Sequence, residues 1–254
     1  PGAMACNSHV NVSLNELCEL NSVIDMFMEN TPNDEMFYEI IFRTSTGRII
    51  QESELRNYLG QIITVSIRDI CDGNSCWGTM RIEDKLPPVI DCGTIRTISC
   101  ADVNLLMGEI DPMTASYRPE WSDGCGVVSA VFTTHKFLDG CNGGFLKRKW
   151  IVTDGSGNSA ACEQHFEVTT NIEWSCPSSV VELSCKESTT PEYIASKLGV
   201  HHAYPHFYRG TTAVPVQGIC NYYTGYSDIE IDACGPHCHG NKKVIRTWTV
   251  LDWC

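Results

Sequence analysis

Fifteen cysteines in 254 residues constrain this chain more than any other feature. None of them stands in a C-x-x-C pair. A cytosolic chain with so many thiols would arrange them as closely spaced zinc knuckles. Here they recur at wide intervals, often after the apolar residues of strand-like segments, so they read as a disulfide framework made in an oxidising compartment.

The cysteines also mark a repeat. Val65-Ser-Ile-Arg-Asp69, Trp150-Ile-Val-Thr-Asp154 and Trp248-Thr-Val-Leu-Asp252 are three strand-like phrases, each ending in Asp. The first two run on through a Gly-Asn turn to Cys76 and Cys162, as β-hairpins do. Ahead of each phrase lies a cysteine pair: Cys6 and Cys18, then Cys92 and Cys100, then Cys176 and Cys185. The units are therefore 5–86, 87–171 and 172–254, with residues 1–4 a tag remnant and the third unit lacking its last strand. Each has about the size of a small β-sandwich of seven strands. The joint at Glu83-Asp-Lys-Leu-Pro-Pro88 is short and stiffened by proline. The fold class expected is all-β: three tandem immunoglobulin-like β-sandwich domains stapled by disulfides.

Local patterns agree. Gly60–Ile67, Ser129–Thr134 and Lys243–Val250 alternate apolar with polar residues or carry β-branched ones, and predict strands. Pro191–Leu198 predicts a short helix, with Thr190 as cap, Pro191 at its first position and Gly199 closing it. Leu14 to Met28 matches no single pattern. Trp150 and Trp248 stand at equivalent places, four before the repeated Asp, and are expected to face the core.

The formal net charge of −13 has the wrong sign for a nucleic-acid backbone. No apolar stretch approaches the ~20 residues needed to span a bilayer, so no membrane insertion is expected.

Pro87-Pro-Val-Ile-Asp-Cys92, followed by Asp154-Gly-Ser-Gly-Asn-Ser-Ala-Ala-Cys162, resembles the hyalin-repeat (HYR) family. Asn74-Ser-Cys-Trp-Gly78, Glu83–Pro88 and Arg246-Thr-Trp-Thr-Val-Leu-Asp-Trp-Cys254 are similar to tandem repeats of very large Bacteroidota surface proteins, including gliding-motility-type adhesins. The resemblance spans nearly the whole chain and thins out over 26–57 and 186–218. It implies a secreted, non-catalytic array at the cell surface, used for adhesion. Its partners would be neighbouring repeats of the same long chain, surface glycans or other cell-surface proteins.

The hyalin-repeat pattern also implies bridges between the first and last strands of a unit, Cys6–Cys76 and Cys92–Cys162. A bridge pinning the two sheets of a sandwich would give Cys18–Cys71 and Cys185–Cys254. Cys125 and Cys141 are then left as a local pair. Ser156 occupies the position that would answer Cys100, so Cys100 is expected to be a free buried thiol, and Cys176 also lacks a partner. Cys220–Cys234 follows by analogy with Cys125–Cys141, with Cys234–Cys238 left open.

Three constellations could carry chemistry. His237 and His239 flank Cys238 and offer metal ligands, although their spacing matches no zinc motif. Tyr204, His206, Phe207, Tyr208, Tyr222 and Tyr223 form an aromatic-rich stretch of the kind that loops use to bind ligands, sugars included. Asp69, Asp154 and Asp252, with Asp72, Asp84 and Asp91 near the first joint, could hold calcium, though the repeated Asp is more simply a turn-former. No resident cofactor is otherwise expected, and no nucleophile elbow, P-loop or His-Glu-x-x-His is present.

Overall fold

The computed structural model describes residues 4–28, 37–184, 186–232 and 242–254. Strands dominate, and the few helices are short. The all-β, disulfide-stapled class expected from the sequence is the one observed.

The chain divides into two compact units, each assembled from three stretches of sequence. The first comprises residues 1–93, 110–133 and 149–163, and the second 94–109, 134–148 and 164–254.

In the first unit β1 (His9–Ser13), β2 (Tyr38–Arg43), β3 (Ile49–Ile50), β4 (Ile62–Asp69) and β5 (Ser75–Glu83) form one sheet in the order β1-β5-β4-β2-β3. The β4–β5 pair is the hairpin read from the Gly-Asn turn, with Ile67 opposite Cys76. Alternation along β4 sends Ile63, Val65 and Ile67 inward, where they meet Phe42, Met80 and Ile82. The stretch from Leu14 to Met28 lies against this core as loop and a single helical turn, α1 (Ile24–Phe27), burying Leu14, Val23 and Phe27. Its irregular course explains why no period was legible there.

β1 runs parallel to β5, His9 opposite Thr79 and Ser13 opposite Glu83. Gly78 makes that approach possible, since a Cβ there would lie 2.2 Å from the Asn7 carbonyl oxygen.

β6 (Val89–Asp91) pairs with β8 (Glu120–Ser122), and β7 (Arg96–Ser99) pairs in parallel with β11 (Ser159–Thr169). With β9 (Val127–Leu138) and β10 (Gly144–Asp154), β7 and β11 form a sheet of order β7-β11-β10-β9. The parallel pairing of an early strand with the last strand of a hairpin thus occurs twice, as β1 with β5 and β7 with β11. Both cases carry a bridge of sequence separation 70, Cys6–Cys76 and Cys92–Cys162. The repeat seen in the sequence is therefore a repeat of strand pairing as well.

Along β10 the inward residues are Leu146, Arg148, Trp150, Val152 and Asp154. Trp150 is fully buried in the first unit, packed on Trp121 and Phe132. Trp248 is only half-buried, between Tyr204 and Tyr226.

The second unit adds helix α2 (Val103–Gly108), helices α3 (Pro191–Leu198) and α4 (Val200–Ala203), and the hairpins β12 (His206–Arg209)–β13 (Thr212–Pro215) and β14 (Tyr222–Asp232)–β15 (Lys242–Asp252). α3 has the limits that Pro191 and Gly199 predict. Ile98, Val103, Leu106, Leu146, Phe166, Val168, Phe207, Val216 and Tyr222 form this unit's core.

Arg148 lies in that interior with no exposed surface. Its guanidinium donates to the Leu106 carbonyl at 2.9 Å and to Thr134 Oγ1 at 2.9 Å, and pairs with Glu109 Oε2 at 2.8 Å. A buried cation is tolerated only when its donors are matched in this way.

Candidate functional site

Five disulfides join described residues. Cys6–Cys76 and Cys92–Cys162 are the pairs the hyalin-repeat pattern implies. The other three correct the sequence reading. Cys18 pairs with Cys125, not Cys71, and Cys71 is a free, exposed thiol. The reason is local. Cys71 sits on the turn after β4, whereas Cys18 is buried in the loop that follows Asn15, with a positive φ of 60°. Gly124 lets the partner segment come close, because a Cβ there would lie 2.2 Å from the Glu16 carbonyl oxygen and 2.8 Å from Cys18 N.

Cys100 is not free but joined to Cys220, so Cys220–Cys234 does not form. Cys141 is joined to Cys254, which removes both Cys125–Cys141 and Cys185–Cys254. These two bridges are tied together by neighbouring amides. Asn142 Nδ2 donates to the Cys220 carbonyl and to Asn221 Oδ1, both at 3.0 Å, and Asn221 Nδ2 donates back to the Cys141 carbonyl. Cys176 is free and exposed. Cys185, Cys234, Cys238, His237 and His239 lie outside the described residues, and with them the suggested histidine metal site.

The repeated aspartates shape turns. Asp69 Oδ1 accepts from Cys71 N at 2.7 Å, Asp154 Oδ1 from Ser156 N at 2.8 Å and Asn158 N at 2.9 Å, and Asp252 Oδ1 from Cys254 N at 3.0 Å. Each aspartate thus satisfies amides of the turn that it opens.

The aromatic stretch is not brought together as one surface. Phe207 and Tyr222 are buried in the core of the second unit. His206 is buried too, its backbone paired with Ser175 and its ring edge-on to Tyr208. Tyr208 and Tyr223 are 57% and 52% exposed. Tyr204 packs on Trp248 and donates its hydroxyl to Glu192, and burial and that hydrogen bond push its pKa up to about 12.

A cleft of about 340 Å³ opens elsewhere in the second unit, between Pro177–Ser184, α3 and β15. Ser178, Glu187, His202, Arg246 and Trp248 supply its polar and aromatic lining. Ser178 Oγ is 2.7 Å from His202 Nδ1, and Arg246 is held by both oxygens of Asp228, at 2.8 and 2.7 Å, and by the Thr189 carbonyl. Glu187 accepts from Lys197, Ser184 N and Tyr193, and these donors, Lys197 first, hold its carboxyl at about 2. A carboxyl so depressed stabilises the fold fully above its ordinary value of 4.5, and the contribution fades as pH falls toward about 2. A carboxyl-carbon NMR titration is expected to place Glu187 near 2, and a midpoint near 4.5 would mean that Lys197 does not hold it. Ser178 and His202 are thus within hydrogen-bond reach of each other, and among the described residues no carboxylate bonds the other ring nitrogen of His202 to orient it.

No family model and no curated protein sequence matches the chain. Among solved structures it is similar to human mucin-like protocadherin EC1-2, at 10% identity and a TM-score of 0.27 over 66% of this chain and 98% of that one. It is similar to human protocadherin-24 EC1-2 at 13% identity, TM-score 0.26, over 67% of this chain and 100% of that one. It is also similar to human CDH23 EC21-23 at 12% identity, TM-score 0.25, over 70% and 80%. Likeness of this degree places the chain in no family.

Proposed function

We propose that this chain is a non-catalytic segment of a large extracellular or cell-surface repeat protein, serving as a rigid stalk or adhesive array. Three bridges (Cys18–Cys125, Cys100–Cys220 and Cys141–Cys254) each close a loop of more than 100 residues, the first inside the first compact unit and the other two inside the second. That observation carries the reading. Bridges that close such long loops keep each compact unit from being drawn out under tension. The hyalin-repeat resemblance supports the same function and would place the parent protein among Bacteroidota surface adhesins, with adjoining repeats, surface glycans or other surface proteins as partners.

The bridges shorten the chain that force can extend. The covalent path from Cys6 to Cys254 runs 12 residues to Cys18, crosses to Cys125, runs 16 residues to Cys141 and crosses again. At about 3.4 Å per residue this span extends to on the order of 100 Å, against roughly 850 Å for the reduced chain. In single-molecule pulling through handles at the two ends, the oxidised chain is expected to stop near the short limit and to reach the long one only after reductant. An oxidised chain yielding several hundred ångströms would overturn the stalk reading.

A further inference from the structure

The first unit buries one carboxylate, Asp84, to which no cation is paired among the described residues. Asp84 is only 9% exposed. Its Oδ1 accepts from Leu86 N at 3.1 Å, while Oδ2 is sealed from solvent and meets no N–H or O–H donor among the described residues. A buried carboxylate oxygen left in this way is costly unless a proton or a cation meets it.

Its neighbours make the deficit worse. One carboxylate oxygen each of Asp84 and Asp123 lies with Cys125 Sγ in a group whose atoms are all within 4.8 Å of one another. Asp154, itself buried, lies within side-chain hydrogen-bonding reach of Asp84, so the two carboxyls can meet only by sharing a proton or a cation. Burial, and then the charges of Asp154 and Asp123, raise the Asp84 pKa. Lys85, the adjacent cation in sequence, is turned to Glu83 Oε2 at 2.7 Å.

The surrounding backbone holds these groups in place. Asp123 Oδ1 accepts from Cys125 N and Gly126 N, both at 2.8 Å, and Cys125 is anchored by its bridge to Cys18. Asn158 Nδ2 donates to Asp154 Oδ2 at 2.7 Å and to the Asp84 carbonyl at 3.0 Å, fixing two members relative to each other.

We infer that Asp84, Asp123 and Asp154 together bind a divalent cation of the calcium type. The donor set decides the metal. It consists of carboxylate oxygens with no imidazole, and Cys125 sulfur is committed to a disulfide and is no thiolate, which disfavours zinc. Calcium accepts six to eight oxygens in flexible geometry, so water and backbone carbonyls would complete the shell, whereas magnesium requires a stricter octahedron. Sites of this kind in extracellular modules bind in the range of about 10⁻⁴–10⁻³ M.

The test uses the intact oxidised chain freed of metal with chelator, with calcium chloride alone as probe. Calorimetric titration is expected to show one site. At about 100 times Kd the melting temperature is expected to rise by about 5–10 °C. Asp84→Asn and Asp123→Asn are each expected to weaken calcium binding at least about tenfold. Asp84→Asn removes a repelled charge, so without metal it should melt no lower than the parent chain, which separates loss of the site from loss of the fold. Three results would overturn the assignment: no heat or melting shift at about 10 mM calcium, parent-like affinity in Asp84→Asn, or an equal response to magnesium.

Discussion

Replacing Arg148 with alanine is expected to destabilise the oxidised chain by about 3–5 kcal/mol. The side chain is fully buried, and its guanidinium answers the Leu106 carbonyl, Thr134 Oγ1 and Glu109. Alanine leaves a cavity beside Phe166, over whose ring the guanidinium now sits at 5.7 Å. It also removes the donor that Arg148 presents to the Leu106 carbonyl and to Glu109 Oε2. Because the Glu109 side chain keeps 20% of its surface in solvent, water can answer part of its charge, which places the loss toward the lower end of that range. A chain of this size loses about 2–4 °C of melting temperature per kcal/mol, so a fall of roughly 6–20 °C is expected in a thermal melt. Arg148→Met with Glu109→Gln should regain much of the loss, since removing both charges is often near neutral. A melt within about 2 °C of the parent for Arg148→Ala would show that the ion pair contributes little.

Complete reduction is expected to have the larger effect and to unfold the chain at room temperature. Each bridge contributes about 2–4 kcal/mol, chiefly by restricting the unfolded chain, with more from long loops. The loops here have sequence separations between 70 and 120. Five such contributions overlap and do not simply add, yet together they match the 5–15 kcal/mol that separates native from unfolded states. Near-UV circular dichroism should collapse on adding reductant and return on reoxidation. A reduced chain that keeps its near-UV signal and melts cooperatively would show that the apolar clusters suffice by themselves.

Sequence periodicity carried the strands well. The alternation of Ile63, Val65 and Ile67 and the limits of α3 appear in the structure as the patterns require, because both are set by nearest neighbours along the chain. The turn role of Asp69, Asp154 and Asp252 is local in the same sense. Bridge partners were legible only where the hyalin-repeat resemblance implied them, at separations of 70, and there the structure shows the same parallel strand pairing twice. Cys18, Cys100 and Cys141 find partners more than 100 residues away, and nothing beside them in sequence encodes that meeting. The glycine that admits the Cys18 bridge, Gly124, is informative only once Glu16 is seen against it. Arg148 could have been suspected, since it alternates in step with Leu146, Trp150 and Val152 on one strand face. Its partners could not, as Leu106, Glu109 and Thr134 come from other segments. Phe207 and Tyr222 read as binding residues in a tyrosine-rich stretch, and only packing shows that they belong to the core. Asp84 was visible as one acid among several near a joint, but the crowding of its carboxylate by Asp123 and Asp154 exists only once the chain is folded.

The order of the five bridges has one more consequence. Their spans, 6–76, 18–125, 92–162, 100–220 and 141–254, overlap in succession without a gap. Every peptide bond between Cys6 and Cys254 is therefore enclosed by at least one covalent ring. Hydrolysis of any single bond in that interval cannot release a fragment, and the nicked chain stays one molecule with its ends still joined. A protein built this way keeps its connectivity after damage that would sever a chain held together by folding alone.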